Sequence, residues 1–176
     1  MANKNSKPPT NRQAPNAFDY GLDFDKIDFS KHPELYRVGK GEQGVLLIEP
    51  YKSQILPHWK FKTVADAKRS SKKIYSIFLS YLKNDDFPGA DMARKFLQMG
   101  WTRARRYANH KGGRKYDKDT GVELPRIVDE VKAEAAAIFY ERYVAARQHP
   151  KYVRQKAVHI EKYSAANVDG LKSKPE

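Results

Sequence analysis

The 176-residue sequence contains no cysteine, and this excludes a disulfide framework, a thiolate nucleophile and a cysteine-based zinc site. It also lacks the G-x-S-x-G motif of serine hydrolases, and its five histidines never occur in H-E-x-x-H spacing. No apolar run approaches membrane-spanning length, and the first residues have no apolar signal-peptide core. These absences predict a cytoplasmic protein with no metal, no other cofactor and no membrane partner.

Acidic residues are scarce relative to basic ones. There are 21 Asp and Glu against 34 Lys and Arg, which gives a formal charge of +13 and a pI near 9.8. Such an excess favours contact with polyanions, and nucleic acid, either DNA or RNA, is the expected partner. A net positive charge also favours solubility or contact with a membrane surface, so charge alone does not identify the partner.

The chain length fits one domain with a core of its own. Residues 1–17 are rich in Asn, Pro and Lys and predict a disordered basic arm. Residues 18–148 are expected to form a single α+β domain, and residues 149–176 a basic, partly disordered tail. Within the domain, residues 35–61 read as short antiparallel strands, and 64–82, 91–109 and 125–148 read as helices. The expected fold is therefore a small antiparallel sheet packed against two or three helices.

One motif in the strand-like region is G-x-G-x-x-G, at residues 39–44 of the run VGKGEQGVLLI. An apolar run and a proline follow the last glycine, so the helix of a dinucleotide-binding motif is missing, and the kinase motifs are absent. We therefore expect a β-hairpin whose glycines allow a tight reversal. The functional alternative is a phosphate contact by Lys40, with Glu42 or Gln43 directed at the neighbouring group.

The clearest functional signal is the run RKFLQMGWTRARRYANHKGGRKY, a basic helix and the Gly-Gly loop that follows it. Residues 103–115 contain six cations and no acid, and the helical period puts the cations on one face. Cations along one face suit successive phosphates. A solvated charged face is the structural alternative. The expected phosphate contacts are Arg94, Lys95, Arg105, Arg106, Lys111, Arg114 and Lys115, with Lys40 from the glycine motif.

Two long runs carry a resemblance, PELYRVGKGEQGVLLIEPYKSQILPHWKFK and DDFPGADMARKFLQMGWTRARRYANHKGGRKYD. They resemble a family of uncharacterised proteins from bacteria, algae and marine phages, classified as domain of unknown function number 4385 and often labelled "cytoplasmic protein". The resemblance covers about residues 18–117 and implies a self-contained cytosolic domain of bacterial or phage origin. It implies no activity, so no catalytic residue is carried over.

The residues predict a nucleic-acid-binding protein that contacts phosphates and performs no catalysis. The alternative is a small enzyme acting on a nucleotide or another phosphorylated compound, with Glu42 and Gln43 facing the arginines of the second helix across a cleft. A third possibility is a phage protein that binds a host factor. This function requires an exposed apolar patch, and the sequence pattern does not indicate one.

Overall fold

The computed structural model of the protein describes residues 16–110, 114–125 and 128–163. The helices are α1 (Tyr51–Ile55), α2 (Val64–Lys83), α3 (Phe87–Asn109), α4 (Glu130–Gln148) and α5 (Pro150–Lys162). Two short 3-10 turns, Pro33–Leu35 and Leu56–His58, lie in the first third of the chain. The central helix is α3, which packs against α1, α2, α4 and α5.

The predicted antiparallel sheet is wrong, because the protein is mostly helical and the described residues form no sheet. Their one β pairing is an isolated bridge between Tyr116 and Glu123. The apolar runs of residues 35–61 instead lie in turns and short helical segments, from which Tyr36, Val45 and Ile48 enter the core. Short apolar runs fit a strand or a buried irregular segment equally well, so their pattern could not exclude this outcome.

The predicted hairpin at the glycine motif is a series of tight turns. Gly39, Gly41 and Gly44 have φ values of 65°, 58° and 79°, a region that favours glycine. The amides of Gln43, Val45 and Leu47 each donate to the carbonyl three residues earlier, at 2.9 to 3.2 Å. We call residues 38–47 the glycine segment; it coils against α3 instead of pairing as two strands.

The helix beginnings follow side-chain caps. Thr63 accepts from the Asp66 amide at the start of α2, and its hydroxyl is a common N-terminal cap. Asp86 accepts from the Gly89 amide, so α3 begins at Phe87 and not at the predicted residue 91. Asp129 accepts from the Lys132 amide, so α4 begins at Glu130, five residues later than predicted.

Residues 150–162 of the predicted C-terminal tail form α5, a helix packed on the core. Its Tyr152 and His159 are buried, and His159 Nε2 donates to the Tyr36 carbonyl at 2.9 Å. The predicted N-terminal arm, apart from residues 16–17, and the end of the tail from residue 164 lie outside the described residues.

Close packing of α3 on α4 depends on Gly100. A Cβ at this position would lie 2.3 Å from Cδ1 of Phe139, which is fully buried on α4. We expect Gly100→Ala to lower the free energy of unfolding by about 1–3 kcal/mol, measured in urea, because the Phe139 ring must shift. Helix propensity alone would give the opposite sign, a gain of about 1 kcal/mol.

A double-mutant cycle isolates this contact. In a Phe139→Leu background, where the ring is absent, Gly100→Ala should be neutral or stabilising. If Gly100→Ala stabilises the wild type as much as it stabilises Phe139→Leu, the contact does not require glycine.

Candidate nucleic-acid interface

The central helix α3 has two halves in different environments. Residues 87–97 are buried on every side, including the charged Asp91, Arg94 and Lys95. From residue 101 the helix extends past its neighbours on one side, so the side chains at 103, 105 and 106 are exposed. The charges of the first half therefore meet protein partners, and those of the second half meet solvent.

Asp91 is the centre of the buried charges. Its Oδ1 accepts from Arg94 Nε at 3.0 Å, Arg94 Nη2 at 2.6 Å and the Tyr152 hydroxyl at 2.6 Å. Its Oδ2 accepts from the Tyr36 hydroxyl at 2.5 Å and lies 3.7 Å from Lys95 Nζ. We call these five residues the Asp91 network; it joins the N-terminal third, α3 and α5.

The pKa shifts in this network follow from burial and from the partners. Burial alone would raise the pKa of Asp91, but the charges of Arg94 and Lys95 and two tyrosine hydroxyl donors hold it well below its usual range. Burial raises the pKa values of Tyr36 and Tyr152, and the Asp91 charge adds to both shifts. Burial lowers the pKa of Lys95 to about 8, although Asp91 opposes that shift. Asp91 is thus ionised and both tyrosines are neutral near neutral pH.

The buried cations also bind the glycine segment. Lys95 Nζ donates to the Gln43 carbonyl, and Arg94 Nη1 donates to the Gly41 carbonyl, both at 2.7 Å. Here the segment presents carbonyl oxygens to cations of its own chain, whereas a glycine loop that cradles a phosphate presents backbone N–H groups. The glycine motif therefore anchors the turns to α3.

Arg94 and Lys95 do not occupy the exposed positions expected of phosphate contacts. Arg94 is 6% exposed and Lys95 is 0% exposed, and both are engaged by Asp91. Helical spacing assigned them to a solvent face, but a carboxylate three and four residues earlier gives them an internal partner. The prediction that Arg94 and Lys95 lie on an exposed cationic face is therefore wrong.

The residues of the alternative active site also have internal partners. Gln43 Oε1 accepts from the Lys40 amide at 2.8 Å, and the Glu42 carboxylate accepts from the Thr102 hydroxyl at 3.1 Å. Lys40, Glu42 and Gln43 line one shallow concavity of about 400 Å³ together with Arg103. The expected cleft with Arg94, Arg105 and Arg106 is not formed there.

Three of the predicted phosphate-binding residues do lie together. Arg105, Arg106 and Lys115 line one open concavity of about 480 Å³ at the end of α3. No acidic side chain is among the described residues that line it; the others are Thr102, Asn109, His110 and Tyr116. Nδ1 of His110 is buried and has no hydrogen-bond partner within the described residues. We call this concavity and its lining the α3-end surface.

The remaining predicted contacts have different positions. Arg114 is exposed next to Lys115 but does not line the concavity, and Lys111 lies outside the described residues, as do Gly112 and Gly113. Tyr116 is 53% exposed, with Lys115 Nζ 5.5 Å from its ring centre. Its position is set by the bridge to Glu123 and by the Leu124 amide, which donates to the Lys115 carbonyl at 2.8 Å.

Sequence reasoning missed the Asp91 network. The sequence prediction placed Asp91 at the first residue of a helix over 91–109, whereas this helix begins at Phe87, and it connected neither Tyr36 nor Tyr152 with Asp91. The available signal was local: Asp91 precedes Arg94 and Lys95 by three and four residues in an otherwise apolar stretch of helix. The two tyrosines are 55 and 61 residues away, and no local pattern connects them to Asp91.

No group of three or more His, Cys, Asp or Glu side chains that could hold a metal ion occurs in the described part of the chain. Of the helices in that part, none combines the length and the apolar character that crossing a membrane requires.

The fold and the site define a helical protein with a buried ionic network and a basic surface at the end of its central helix. A family model described as "Domain of unknown function (DUF4385)" matches residues 19–162. The chain therefore belongs to this family, and the resemblance seen in the sequence is confirmed. No curated protein and no solved structure matches the chain.

Removing the charge of Asp91 should severely destabilise the protein. Asp91→Asn leaves Arg94 and Lys95 buried without a counter-charge, and we expect the free energy of unfolding to fall by about 3–5 kcal/mol. Urea unfolding followed by circular dichroism measures this loss.

Asp66→Asn is the matched control, because Asp66 pairs with Arg69 near the surface of α2. It should leave the urea midpoint nearly unchanged. Equal effects of the two substitutions would contradict a central role for the Asp91 network.

Proposed function

We propose that the protein binds nucleic acid without catalysis, and that the α3-end surface contacts the phosphate backbone. The observation that carries this proposal is the convergence of Arg105, Arg106 and Lys115 on one open concavity whose described lining contains no acid. Guanidinium and ammonium groups are the usual partners of backbone phosphates.

The availability of these cations supports the proposal further. Among the described residues, the ion pairs of Arg and Lys with Asp and Glu include none of the three. The guanidinium of Arg105 lies over the Trp101 ring, 5.9 Å from its centre, and this contact leaves its edge open to a ligand. Cations at a helix C-terminus also interact favourably with the helix dipole, so cations at the end of α3 stabilise the helix as well.

Tyr116 supports an extension of the proposal to single strands. Its ring borders the concavity and is half exposed, so a base splayed from the backbone has an aromatic face to stack on. Tyr107, a tyrosine near the end of α3, packs against Phe61 with ring centres 6.0 Å apart. Tyr116 is therefore the better candidate for base stacking.

The enzyme alternative has weaker support. Glu42 and Gln43 hold contacts within the fold, to Thr102 and to the Lys40 amide. A general acid or base must be free to reach a substrate proton, and these side chains are already engaged.

Neutralising two cations of the α3-end surface should weaken binding and flatten its dependence on salt. For Arg105→Gln/Arg106→Gln we expect the slope of log K against log salt to fall in magnitude by about 2 on duplex DNA, because each phosphate contact contributes about 0.9. Fluorescence anisotropy with labelled single- and double-stranded DNA and RNA across a salt series gives the slopes and the preferred nucleic acid.

The control variant is Lys83→Gln/Arg154→Gln, which removes the same charge from exposed positions on α2 and α5. It should keep the wild-type slope. No binding by the wild type at low salt would overturn the proposal, and equal loss in both variants would reduce it to an effect of net charge. Thermal unfolding of each variant checks that the fold is retained.

Replacing the ring of Tyr116 should affect single strands more than duplexes. We expect Tyr116→Leu to weaken single-strand binding by about 1–3 kcal/mol and Tyr116→Phe to retain it, because stacking needs the ring and not the hydroxyl. The same anisotropy titrations measure both variants. Equal losses for Leu and Phe would exclude stacking on this residue.

A further inference from the structure

A third concavity, of about 520 Å³, lies between the first half of α3, the end of α4, α5 and the glycine segment. We call it the α3–α5 cleft. Its volume is within the range of small-molecule sites, roughly 300–1,000 Å³. Among the described residues, it shares no lining residue with the α3-end surface.

The polar lining of the α3–α5 cleft is positive. Arg94 from α3, Arg147 from α4 and Lys156 from α5 line it, and no acidic side chain is among the described residues that do so. Within the described ranges, neither Arg147 nor Lys156 forms an ion pair with Asp or Glu. The Arg147 guanidinium lies over the Tyr143 ring, 5.3 Å from its centre, which holds it at the wall of the cleft.

Arg94 contributes a fixed positive charge below the cleft. Its Nη1 donates to the Gly41 carbonyl and to Gln98 Oε1, both at 2.7 Å, while Asp91 holds the other side of the guanidinium. Because Gln98 Oε1 accepts from Arg94, its amide NH₂ is the group left for a ligand oxygen.

Asp91 does not neutralise this region, since its single charge is shared by Arg94 and Lys95. Burial lowers the pKa of Lys95, and the nearby positive charges of Arg94 and Lys156 lower it further. Arg94, Arg147 and Lys156 thus line the cleft, and the one carboxylate of Asp91 is paired with Arg94 and Lys95, so a bound anion would relieve the repulsion between the cations.

We propose that the α3–α5 cleft binds a small polyanion, of the class of phosphate monoesters and pyrophosphate. Arg147 and Lys156 contact its oxygens from opposite walls, the Gln98 amide donates to it, and Arg94 supplies the fixed charge beneath. The forked guanidinium of Arg147 suits a phosphoryl group with two oxygens in one plane. This site is independent of the nucleic-acid-binding proposal, because it uses none of the same residues.

Isothermal titration of the full-length protein with pyrophosphate at low ionic strength tests the proposal. We expect saturable binding at one site per chain. Arg147→Gln/Lys156→Gln should weaken this binding at least tenfold, whereas Arg105→Gln/Arg106→Gln, with the same loss of charge at the α3-end surface, should leave it within twofold of the wild type. Both positions of the first variant are at least partly exposed, so the fold should be retained.

A second measurement does not depend on any variant. In the ¹⁵N-labelled wild type, the amide resonances of Gly39 and Gly41, which line the cleft, should shift saturably with pyrophosphate. The proposal is overturned by the absence of saturable binding, by equal weakening in the two variants, or by shifts confined to the end of α3. The first and last results leave nucleic-acid binding intact, so failure of the two proposals can be told apart.

Discussion

The burial of the Asp91 charge is the constraint on which the rest of the structure depends. A carboxylate in the interior is tolerated only when it is paired and fully hydrogen-bonded. Asp91 meets this condition with partners from three parts of the chain: Tyr36 before the glycine segment, Arg94 and Lys95 on α3, and Tyr152 on α5. The Asp91 network therefore connects the first third of the chain and the last helix to α3.

The sequence predicted the helices better than the region before them. The 3.6-residue apolar period of α2 was sufficient to place that helix almost completely, because this signal is local. Residues 35–61 were misassigned because their apolar side chains enter the core from turns and short helical segments, an arrangement that has no regular period. Helical spacing also misplaced Arg94 and Lys95. A face rich in charged residues is normally assigned to solvent, and this rule ignored Asp91, the carboxylate on the same face that pairs with both cations.

The basic residues near the end of α3 were easier to group, because Arg105, Arg106 and Lys115 are close in sequence as well as in space. The α3–α5 cleft could not be predicted from the sequence, for the opposite reason. Its cations come from three helices, and Arg94 and Lys156 are 62 positions apart. The chain thus uses its positive charges in two ways. Arg94 and Lys95 stabilise the fold through Asp91, whereas Arg105, Arg106 and Lys115 lie at the surface and form no ion pair with Asp or Glu among the described residues.

The glycine segment has a consequence for how relatives of this chain can differ. Its contacts to Arg94 and Lys95 are made by the main-chain oxygens of Gly41 and Gln43, and every amino acid carries such an oxygen. Exposed Lys40 is therefore free to vary in type, whereas the number of residues between Gly39 and Gly44 is not. One insertion or deletion there would move the carbonyl oxygens of Gly41 and Gln43 away from Arg94 and Lys95. The number of residues between the glycines is therefore more constrained by this fold than the type of residue at position 40.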